Sequence, residues 1–359
     1  MMEPATDAAL APLTTLELGG AAEHLVEATT LSEVVDALRW ARTRGVSVTV
    51  LGGGSNVVVS DDGVRGLVLR LAVRGIELER RHDRVLLTAA AGEPWDEVAA
   101  ASVAEDLAGL ECLSGIPGTA GATPIQNVGA YGQEVGAVID GVKVLHRLSF
   151  EQRELTADDC AFGYRSSALR RPGNPWIVVG VRFALQPDGA PTLAYSQLAE
   201  AFPGKASPTL AQVRSTVLEL RRSKSMVLDD ADPNRRSVGS FFVNPVVDRE
   251  AAEEVANAAR TLGILGAEAR LPMHELADGR IKLAAAWLIE HAGFPRGCSR
   301  GRVGLSTNHA LALVNSGGAT ADELVAFARD IRHGVRSHLG IDLQPEPVFL
   351  GFTSPDPTA

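Results

Sequence analysis

The sequence predicts a mixed helix-and-strand protein, of the α/β or α+β class, built from two or three domains. Its 359 residues exceed what a single hydrophobic core usually serves. Near the N-terminus a helix signal runs directly into an apolar strand signal, and such short connections are typical of these classes. A glycine-rich stretch over 113–145 has little helical or strand periodicity. A segment of this kind inside a domain is usually functional.

The first predicted elements are a helix over 30–45 and a strand over 47–51. Thr30 and Glu33 match a capping box at the start of the helix, and Gly45 follows its last apolar position. The strand follows at once, which gives the helix-to-strand unit on which the fold class depends.

Turn and cap signals divide the rest of the first half. Two strands are expected on either side of Asp61-Asp62-Gly63, which is a turn sequence. A helix over 93–109 carries Pro94 in its first turn and ends at Gly109. Further strands are expected over 84–92, within 141–155 and over 176–187. A polar stretch between about 190 and 235 indicates a domain boundary.

The last third is predicted to begin with strands over 237–247 and to end with a strand over 341–351. Thr320 and Glu323 match a second capping box, at the start of the last predicted helix. The predicted helices cover 248–262, 281–292 and 320–339, and the core stripe of the last one is Leu324, Phe327, Ala328, Ile331 and Val335.

Composition and charge exclude several classes of function. The net charge is −10 and no basic stripe is present, so nucleic acid and anionic membrane surfaces are poor ligands. Cys112, Cys160 and Cys298 are widely spaced, which argues against a disulfide framework and against structural zinc. The N-terminal residues do not form a signal peptide, and the apolar run over 283–289 is too short to span a bilayer. We therefore expect a cytoplasmic protein.

The loop Gly52-Gly53-Gly54, followed by Ser55 and Asn56, is the first candidate binding segment. It is not G-x-G-x-x-G, no helix follows it, and it lacks the lysine of a P-loop. Taken alone it is either a tight turn or a nest of backbone N–H groups for an anion, with the turn favoured by about two to one.

A second glycine-rich stretch changes this weighing. It places Gln126 and Asn127 among apolar residues such as Ile116, which are unusual on an idle surface loop. Two such loops in one half of the chain indicate a long ligand that the backbone approaches closely. The glycines of this stretch include Gly115, Gly118, Gly121, Gly129 and Gly132.

Charged and hydroxyl side chains supply the remaining candidates. Arg165 follows Tyr164 and suits bidentate binding of a carboxylate, although a solvated arginine is the commoner case. Lys224, in the RRSKS stretch, marks either an anion site or a basic helix end. Ser240 is not in a G-x-S-x-G elbow, so an acyl-transfer nucleophile is not expected there. Glu346 precedes a proline, which holds its backbone extended and aims its carboxylate.

Taken together, these stretches resemble one family. In order they read LGGGSN, IPGTAGATPIQNVGAYGQE, FGYRSS, GSFFVNP, KLAAAWLIE and QPEPVFLG. They are similar to the corresponding stretches of the UDP-N-acetylenolpyruvoylglucosamine reductases, the MurB family. The resemblance extends from about residue 13 to 352. Tyr195, within LAYSQL, resembles the subclass that carries an extra tyrosine-bearing loop over the substrate.

The resemblance implies an α+β fold in three parts. The first is an FAD-binding domain of the PCMH or vanillyl-alcohol-oxidase type over 13–190, with subdomains of about 13–71 and 72–190. A substrate loop and linker follow over 191–235. A C-terminal substrate-binding domain covers 236–352, and its last strand returns to the active site.

The resemblance also implies an activity. The chain would be an NADPH-dependent oxidoreductase, a flavoprotein that reduces the enolpyruvyl ether of UDP-N-acetylglucosamine to UDP-N-acetylmuramate for peptidoglycan synthesis. Hydride would pass from NADPH to FAD and then to the vinyl carbon, after which Ser240 would protonate the adjacent carbon. The cofactors would be FAD and NADPH, and the partner a small UDP-sugar. We expect no metal, nucleic acid, membrane or obligate protein partner.

Site residues follow from the matched motifs. By similarity, Arg165 and Glu346 would hold the substrate carboxylate and enol, where negative charge builds during the reaction. Lys224 and Asn244 would bind the uridine diphosphate, Tyr195 would close over it, and Tyr164 would pack near substrate or nicotinamide. The expected FAD contacts are Gly52, Gly53, Gly54, Ser55, Asn56, Ile116, Pro117, Gly118, Gly121, Ala122, Gln126, Asn127 and Gly129. Position 291 is His where some relatives carry Gln, and it receives no role.

Two other readings compete with this one. An oxidase or dehydrogenase with the same FAD fold would explain the first half but not GSFFVNP together with QPEPVF. A catalytically silent nucleotide-binding protein would use Ser240 and Glu346 as core residues, and a flavin spectrum would argue against it.

Overall fold

The chain combines α-helices with many short strands in the computed structural model, which describes residues 3–204 and 207–359. The strands are β1 (Ala5–Ala9), β2 (Ala21–Ala28), β3 (Val48–Leu51), β4 (Val57–Val59), β5 (Val64–Leu71), β6 (Ile76–Arg80), β7 (Val85–Ala90), β8 (Leu107–Ala108), β9 (Gly129–Ala130), β10 (Gln133–Glu134), β11 (Ile139–His146), β12 (Gln152–Leu155), β13 (Trp176–Pro187), β14 (Ser237–Ser240), β15 (Val246–Val247), β16 (Met273–Glu275), β17 (Ile281–Leu283), β18 (Ser299–Arg300), β19 (Val303–Leu305), β20 (Ala312–Asn315) and β21 (Val348–Leu350). The helices are α1 (Leu31–Arg44), α2 (Trp95–Ala104), α3 (Ala157–Cys160), α4 (Ser196–Glu200), α5 (Leu210–Arg222), α6 (Arg249–Thr261), α7 (Ala285–His291) and α8 (Ala321–Leu339).

The described chain divides into two units. The first comprises Met1–Ala8, Ala22–Gly54 and Arg65–Leu228, and the second comprises Ala9–Ala21, Ser55–Val64 and Asp229–Ala359. The second unit therefore recruits two short segments from early in the chain, which no composition shift in the sequence marks.

In the first unit, α1 begins and ends where its sequence signals place it. The Thr30 hydroxyl accepts from the Glu33 N–H at 3.2 Å, and the Glu33 carboxylate accepts from the Thr30 N–H at 3.1 Å. Gly45 closes the helix with φ 64°, a left-handed conformation that glycine adopts without strain. The buried side of α1 packs in one cluster with residues of β2 and β5, and the sheet order is β1-β2-β5-β3.

A larger sheet of the first unit has the order β12-β11-β13-β7-β6, with β8 also on β13. Its core partner is α2, whose Trp95 is fully buried. The Trp95 ring meets Phe183 of β13 edge to face at 5.7 Å, and its indole N–H donates to the Leu113 carbonyl at 2.9 Å. This bond fixes the start of the glycine-rich stretch on the helix, because a buried indole N–H needs an acceptor.

The second unit is centred on α8, which has the Thr320/Glu323 capping box that the sequence predicts. Its apolar stripe is fully or almost fully buried, from Leu324 to Val335. The stripe belongs to one core cluster with Phe241, Phe242 and Val58 of β4. The sheets of this unit have the orders β14-β20-β19-β18, β15-β17-β16 and β21-β4.

The two strands expected on either side of Asp61-Asp62-Gly63 are present as β4 and β5, of which β4 pairs in parallel with β21 and β5 pairs in parallel with β3. Other predicted element boundaries are wrong. The helix predicted over 93–109 ends at Ala104, and β8 precedes Gly109. The start of the helix predicted over 281–292 is a strand, β17. The last predicted strand shortens to β21, since Gln344–Pro347 includes two prolines.

Within residues 3–204 and 207–359, no helix combines the length and apolarity needed to cross a membrane.

Candidate active site

The two glycine-rich loops of the first unit meet backbone to backbone. A Cβ atom added to Gly53 would lie 2.8 Å from the Gly118 Cα, and one added to Gly52 would lie 2.8 Å from the Thr119 hydroxyl oxygen. Real Cβ atoms essentially never show contacts under 3.0 Å. Glycine at 52 and 53 is therefore explained by close approach, and the two stretches form one composite loop.

This composite loop presents backbone N–H groups. Gly52, Gly53 and Gly54 follow β3, and their N–H groups donate to no protein acceptor among the described residues. The N–H groups of Gly118 and Thr119 likewise donate to no protein acceptor in the described part of the chain. Successive unpaired N–H groups form a concave site for an anion, so these residues fit a diphosphate-bearing group such as that of FAD.

Asn127 and Gly121 hold the second loop in place. The Asn127 amide donates to Glu134 and to the Gly163 carbonyl at 3.0 Å each, and its oxygen accepts from the Gly136 N–H at 2.8 Å. Gly121 lies against Ala91, where an added Cβ would be 2.5 Å from the Ala91 Cβ. Asn127 has φ 45°, which is uncommon outside glycine. The Asn127 side chain thus bonds to groups within the protein, and its contact with FAD stays a prediction.

The other expected FAD contacts lie on the same loops. Gln126 is buried, Ile116 and Pro117 are half-buried, and Ala122 is exposed. Ile116 packs against the core cluster that contains Trp95. Ser55 and Asn56 continue the first loop but belong to the second unit.

Arg165 sits in a tight turn held by reciprocal backbone bonds between Gly163 and Ser166, at 3.0 and 3.1 Å. Its φ of 50° is the left-handed conformation that the third residue of a type II turn requires and that favours glycine. The Arg165 guanidinium donates to the Gly129 carbonyl at 2.9 Å and lies 5.4 Å from the Tyr164 ring centroid. Arg165 is thus held at its backbone by the turn and at its guanidinium by the Gly129 carbonyl. Strained backbone conformations of this kind are often found at functional sites.

A cluster of two tyrosines and one lysine lies elsewhere in the first unit. Tyr131 and Tyr195 meet edge to face at 5.2 Å, and the Lys224 ammonium lies 5.9 Å from each ring centroid. Lys224 also donates to Gln197 Oε1 at 3.0 Å. Burial, followed by the charge of Arg221, lowers the pKa of Lys224. The structure thus brings Tyr195 and Lys224 together, as the sequence hypothesis requires.

Arg221 lies close enough to this cluster to interact electrostatically with Tyr131 and Lys224. It is buried near the end of α5, and its guanidinium donates to the Met226 carbonyl at 2.7 Å. Burial lowers the pKa of Arg221, while Tyr131 and Asp96 act in the opposite direction. Lys224 directly follows the C-cap of α5, so the stretch is a basic helix end, and its role as an anion site stays a prediction.

Ser240 and Glu346 come together in the second unit. The Glu346 N–H donates to the carbonyl of Phe241, the residue after Ser240, at 2.8 Å. The Asn56 amide reaches the Glu346 carbonyl at 3.5 Å, and the Val348 N–H donates to the Asn56 carbonyl at 3.0 Å. The backbone of Glu346 is therefore paired with the residue that directly follows Ser240.

The strand that carries Ser240 is irregular. Its pairing with β20 shifts register between Ser237 and Ser240, and Gly239 has φ 71°. A glycine in this conformation at a β-bulge re-aims the next side chain, which is a common device beside active sites. Ser240 is half-buried, and its hydroxyl has no hydrogen-bond partner among the described residues.

Asn244 and His291 occupy structural contacts in the same unit. The Asn244 side-chain oxygen accepts from the Ala285 N–H at 2.9 Å and so satisfies the start of α7. His291 stacks on Trp287 at 4.1 Å and contacts its carbonyl. The predicted role of Asn244 in substrate binding remains a prediction.

Sequence reasoning missed Tyr131, Gln197 and Thr119. The signal available for Tyr131 was an aromatic residue enclosed by glycines in a functional stretch, and the chain contains only three tyrosines, at 131, 164 and 195. Gln197 and Thr119 carry no comparable sequence signal, because their positions depend on tertiary contacts.

Two sequence families match the chain. The family described as FAD binding domain matches residues 22–147, and the C-terminal domain of UDP-N-acetylenolpyruvoylglucosamine reductase matches residues 232–350. A reductase of that name from Streptomyces coelicolor is 46% identical over 349 residues, which cover 96% of this chain and 90% of the relative. The chain belongs to the UDP-N-acetylenolpyruvoylglucosamine reductase family. The relative from Nocardia farcinica is 48% identical over 349 residues and covers 95% of this chain and 88% of its own length.

A solved structure of the family supports the fold. The UDP-N-acetylenolpyruvylglucosamine reductase of Thermus caldophilus superposes with a TM-score of 0.65 at 24% identity, covering 96% of this chain and 97% of its own. The family resemblance and the α+β class with an FAD-binding domain are thus confirmed. The subclass with the extra tyrosine loop stays a prediction.

Proposed function

We propose that this chain is an NADPH-dependent flavoenzyme that reduces the enolpyruvyl ether of UDP-N-acetylglucosamine to UDP-N-acetylmuramate, in peptidoglycan precursor synthesis. Family membership gives the reaction class. The observation that carries the chemistry is the backbone bond from Glu346 to Phe241, because it brings the residue that carries the carboxyl beside the segment that carries the Ser240 hydroxyl.

The composite glycine loop would hold FAD. The N–H groups of Gly52, Gly53, Gly54 and Gly118 are matched to a diphosphate, which would supply the acceptors that these donors lack in the protein. When bound there, FAD would supply the hydride-transfer chemistry that connects NADPH to the vinyl carbon of the substrate. The protein's task is then to orient the substrate and to manage charge and protons.

Arg165 would bind the substrate carboxylate. Its guanidinium donates to the Gly129 carbonyl, and its turn is closed by the bonds between Gly163 and Ser166. The positive charge is therefore held in a fixed position. A fixed positive charge near an oxygen that becomes more negative stabilises the transition state more than the ground state.

Ser240 would protonate the carbon next to the reduced position. Serine is a weak acid, so the step needs a strongly basic enolate and a neighbour that stabilises the alkoxide. The bulge at Gly239 presents the hydroxyl, and Glu346 would contact the enol, with Pro347 restricting its backbone to an extended form.

Lys224, Tyr195 and Asn244 would bind the uridine diphosphate. The lowered pKa of Lys224 follows from burial, and a nearby diphosphate would favour its charged form again. Tyr164 would contact substrate or nicotinamide. For location and partners, we propose a cytoplasmic enzyme that needs no second protein.

The test is a direct assay. Purified protein should carry a flavin spectrum, and NADPH oxidation should depend on added UDP-N-acetylglucosamine enolpyruvate. A flavin-loaded sample that oxidises NADPH only with small alcohols or hydroxy acids would favour an oxidase or dehydrogenase of the same flavin fold. A colourless protein that binds UDP-sugar without turnover would favour a silent binder.

A further inference from the structure

The hairpin formed by β9 and β10 lies between two groups of the proposed site, all within the first unit. Glu134 pairs with Gly129 and Gln133 with Ala130, so Tyr131 and Gly132 form its two-residue turn. Both turn residues have positive φ, 49° and 87°. Such turns favour Asn-Gly, so a bulky tyrosine in the first position is strained and needs support from its surroundings.

One side of this hairpin holds Arg165. The Gly129 carbonyl accepts from its guanidinium at 2.9 Å. Glu134 accepts from the Asn127 amide, which also donates to the carbonyl of Gly163 in the arginine's own turn. The position of Arg165 therefore depends on where the hairpin lies.

The other side holds the segment that carries Tyr195. Gln133 donates to the Thr192 hydroxyl at 3.0 Å, and Gly132 lies against Ala194, where an added Cβ would be 2.8 Å from the Ala194 Cβ. The Tyr131 ring meets Tyr195 edge to face and lies close to the Lys224 ammonium. It also packs beside the apolar cluster of α4 and α5.

From these contacts we propose that Tyr131 is a positioning residue through which the hairpin couples uridine diphosphate binding at Tyr195 and Lys224 to the placement of Arg165. The proposal rests on the proposed function for the identity of the ligand. A diphosphate that draws Lys224 and Tyr195 toward it changes the contacts of the Tyr131 ring. Because the turn is short and strained, the change is passed to Gly129, the anchor of the catalytic arginine.

The three tyrosines give a direct readout. Protein with 3-fluorotyrosine at positions 131, 164 and 195 should give three ¹⁹F resonances, assigned by single Tyr→Phe variants. Titration with uridine diphosphate, which lacks the enolpyruvyl group, should shift the resonances of Tyr195 and Tyr131. The resonance of Tyr164, next to Arg165, should shift with the same apparent Kd. A Tyr164 signal that stays fixed while Tyr195 responds would overturn the coupling.

Kinetics of the second half-reaction supply an independent test. Tyr131→Leu should raise KM for the UDP-sugar about tenfold, as expected for the loss of an aromatic pair and a cation–π contact. It should also slow the reaction of pre-reduced enzyme at saturating substrate by about tenfold, because a small misplacement of a catalytic group is costly. Tyr131→Phe keeps the ring and should restore both values.

A control variant and the wild-type assay distinguish this coupling from a simple binding role and from a failure of the proposed function. Phe150→Leu removes a ring 4.5 Å from Arg42 in the same unit and should change neither value. A rise in KM with an unchanged rate at saturation would reduce Tyr131 to a binding residue and overturn the coupling. Wild-type protein that shows no substrate-dependent NADPH oxidation would refute the proposed function, whereas normal wild-type activity with an unaffected Tyr131→Leu variant would refute only this inference.

Discussion

Gly53→Ala is expected to weaken FAD binding by forcing the two glycine-rich loops apart. The added Cβ would lie 2.8 Å from the Gly118 Cα and 3.1 Å from the Gly118 carbonyl carbon. Contacts under 3.0 Å essentially never occur and ordinary contact begins at 3.4 Å, so the two loops must move apart by a few tenths of an ångström. Both neighbours are backbone atoms, which cannot move aside as a side chain can.

The expected cost follows from this geometry. Overpacking of this kind typically costs about 1–3 kcal/mol. If the cost falls on the loop spacing that FAD requires, affinity for FAD should fall by about 5- to 150-fold. The strain is steric alone, because Gly53 does not have the left-handed φ that Gly54 has.

The assay is FAD titration of apoprotein, with flavin fluorescence as the signal and a thermal midpoint measured on the same sample. Gly266→Ala is the matched control, since its added Cβ would meet only the Ala269 Cβ, at 3.9 Å. A Gly53→Ala protein that binds FAD as tightly as the wild type would refute the loop-contact reasoning.

Two further predictions concern stability. Thr30→Ala removes the capping box of α1 and should lower the free energy of unfolding by about 1 kcal/mol in urea titrations. Asp356→Asn should cost about 1–2 kcal/mol at neutral pH, because Arg332, only 9% exposed, loses a carboxylate partner at 2.6 Å. Burial raises the pKa of Asp356, but bonds from Thr358 and Arg332 outweigh it and hold this pKa below its usual value. The difference from wild type should therefore be complete above the unfolded pKa of about 3.9 and vanish as pH falls through the lowered folded pKa. A stability difference that is independent of pH would contradict this origin.

Local signals in the sequence were sufficient for much of the fold. The capping boxes at Thr30 and Thr320 and the strand over 176–187 are confirmed residue by residue, because each depends on neighbours in sequence. The sheet partner of β4 could not be predicted, for the opposite reason. Its partner β21 lies about 290 residues further along the chain, and alternation shows that a strand exists but not which strand it joins.

The candidate site divides in the same way. Motifs identified Arg165, Ser240 and Glu346 as candidates, and the structure adds that the Glu346 backbone is bonded to Phe241, the residue after Ser240. Tyr131 was missed because its importance comes from a strained turn and from contacts with Tyr195 and Lys224. Local sequence rules would have placed Asn or Gly there.

The proposal that Ser240 donates the proton is tested by the two half-reactions of Ser240→Ala protein. In stopped-flow mixing with NADPH, the flavin of the variant should be reduced at the wild-type rate, since no proton from Ser240 is used in that step. Pre-reduced variant mixed with the enolpyruvyl UDP-sugar should react about 100- to 10,000-fold more slowly than wild type, the usual contribution of a positioned general acid. Equal losses in both half-reactions, or no loss in the second, would contradict the assignment of Ser240 as the proton donor.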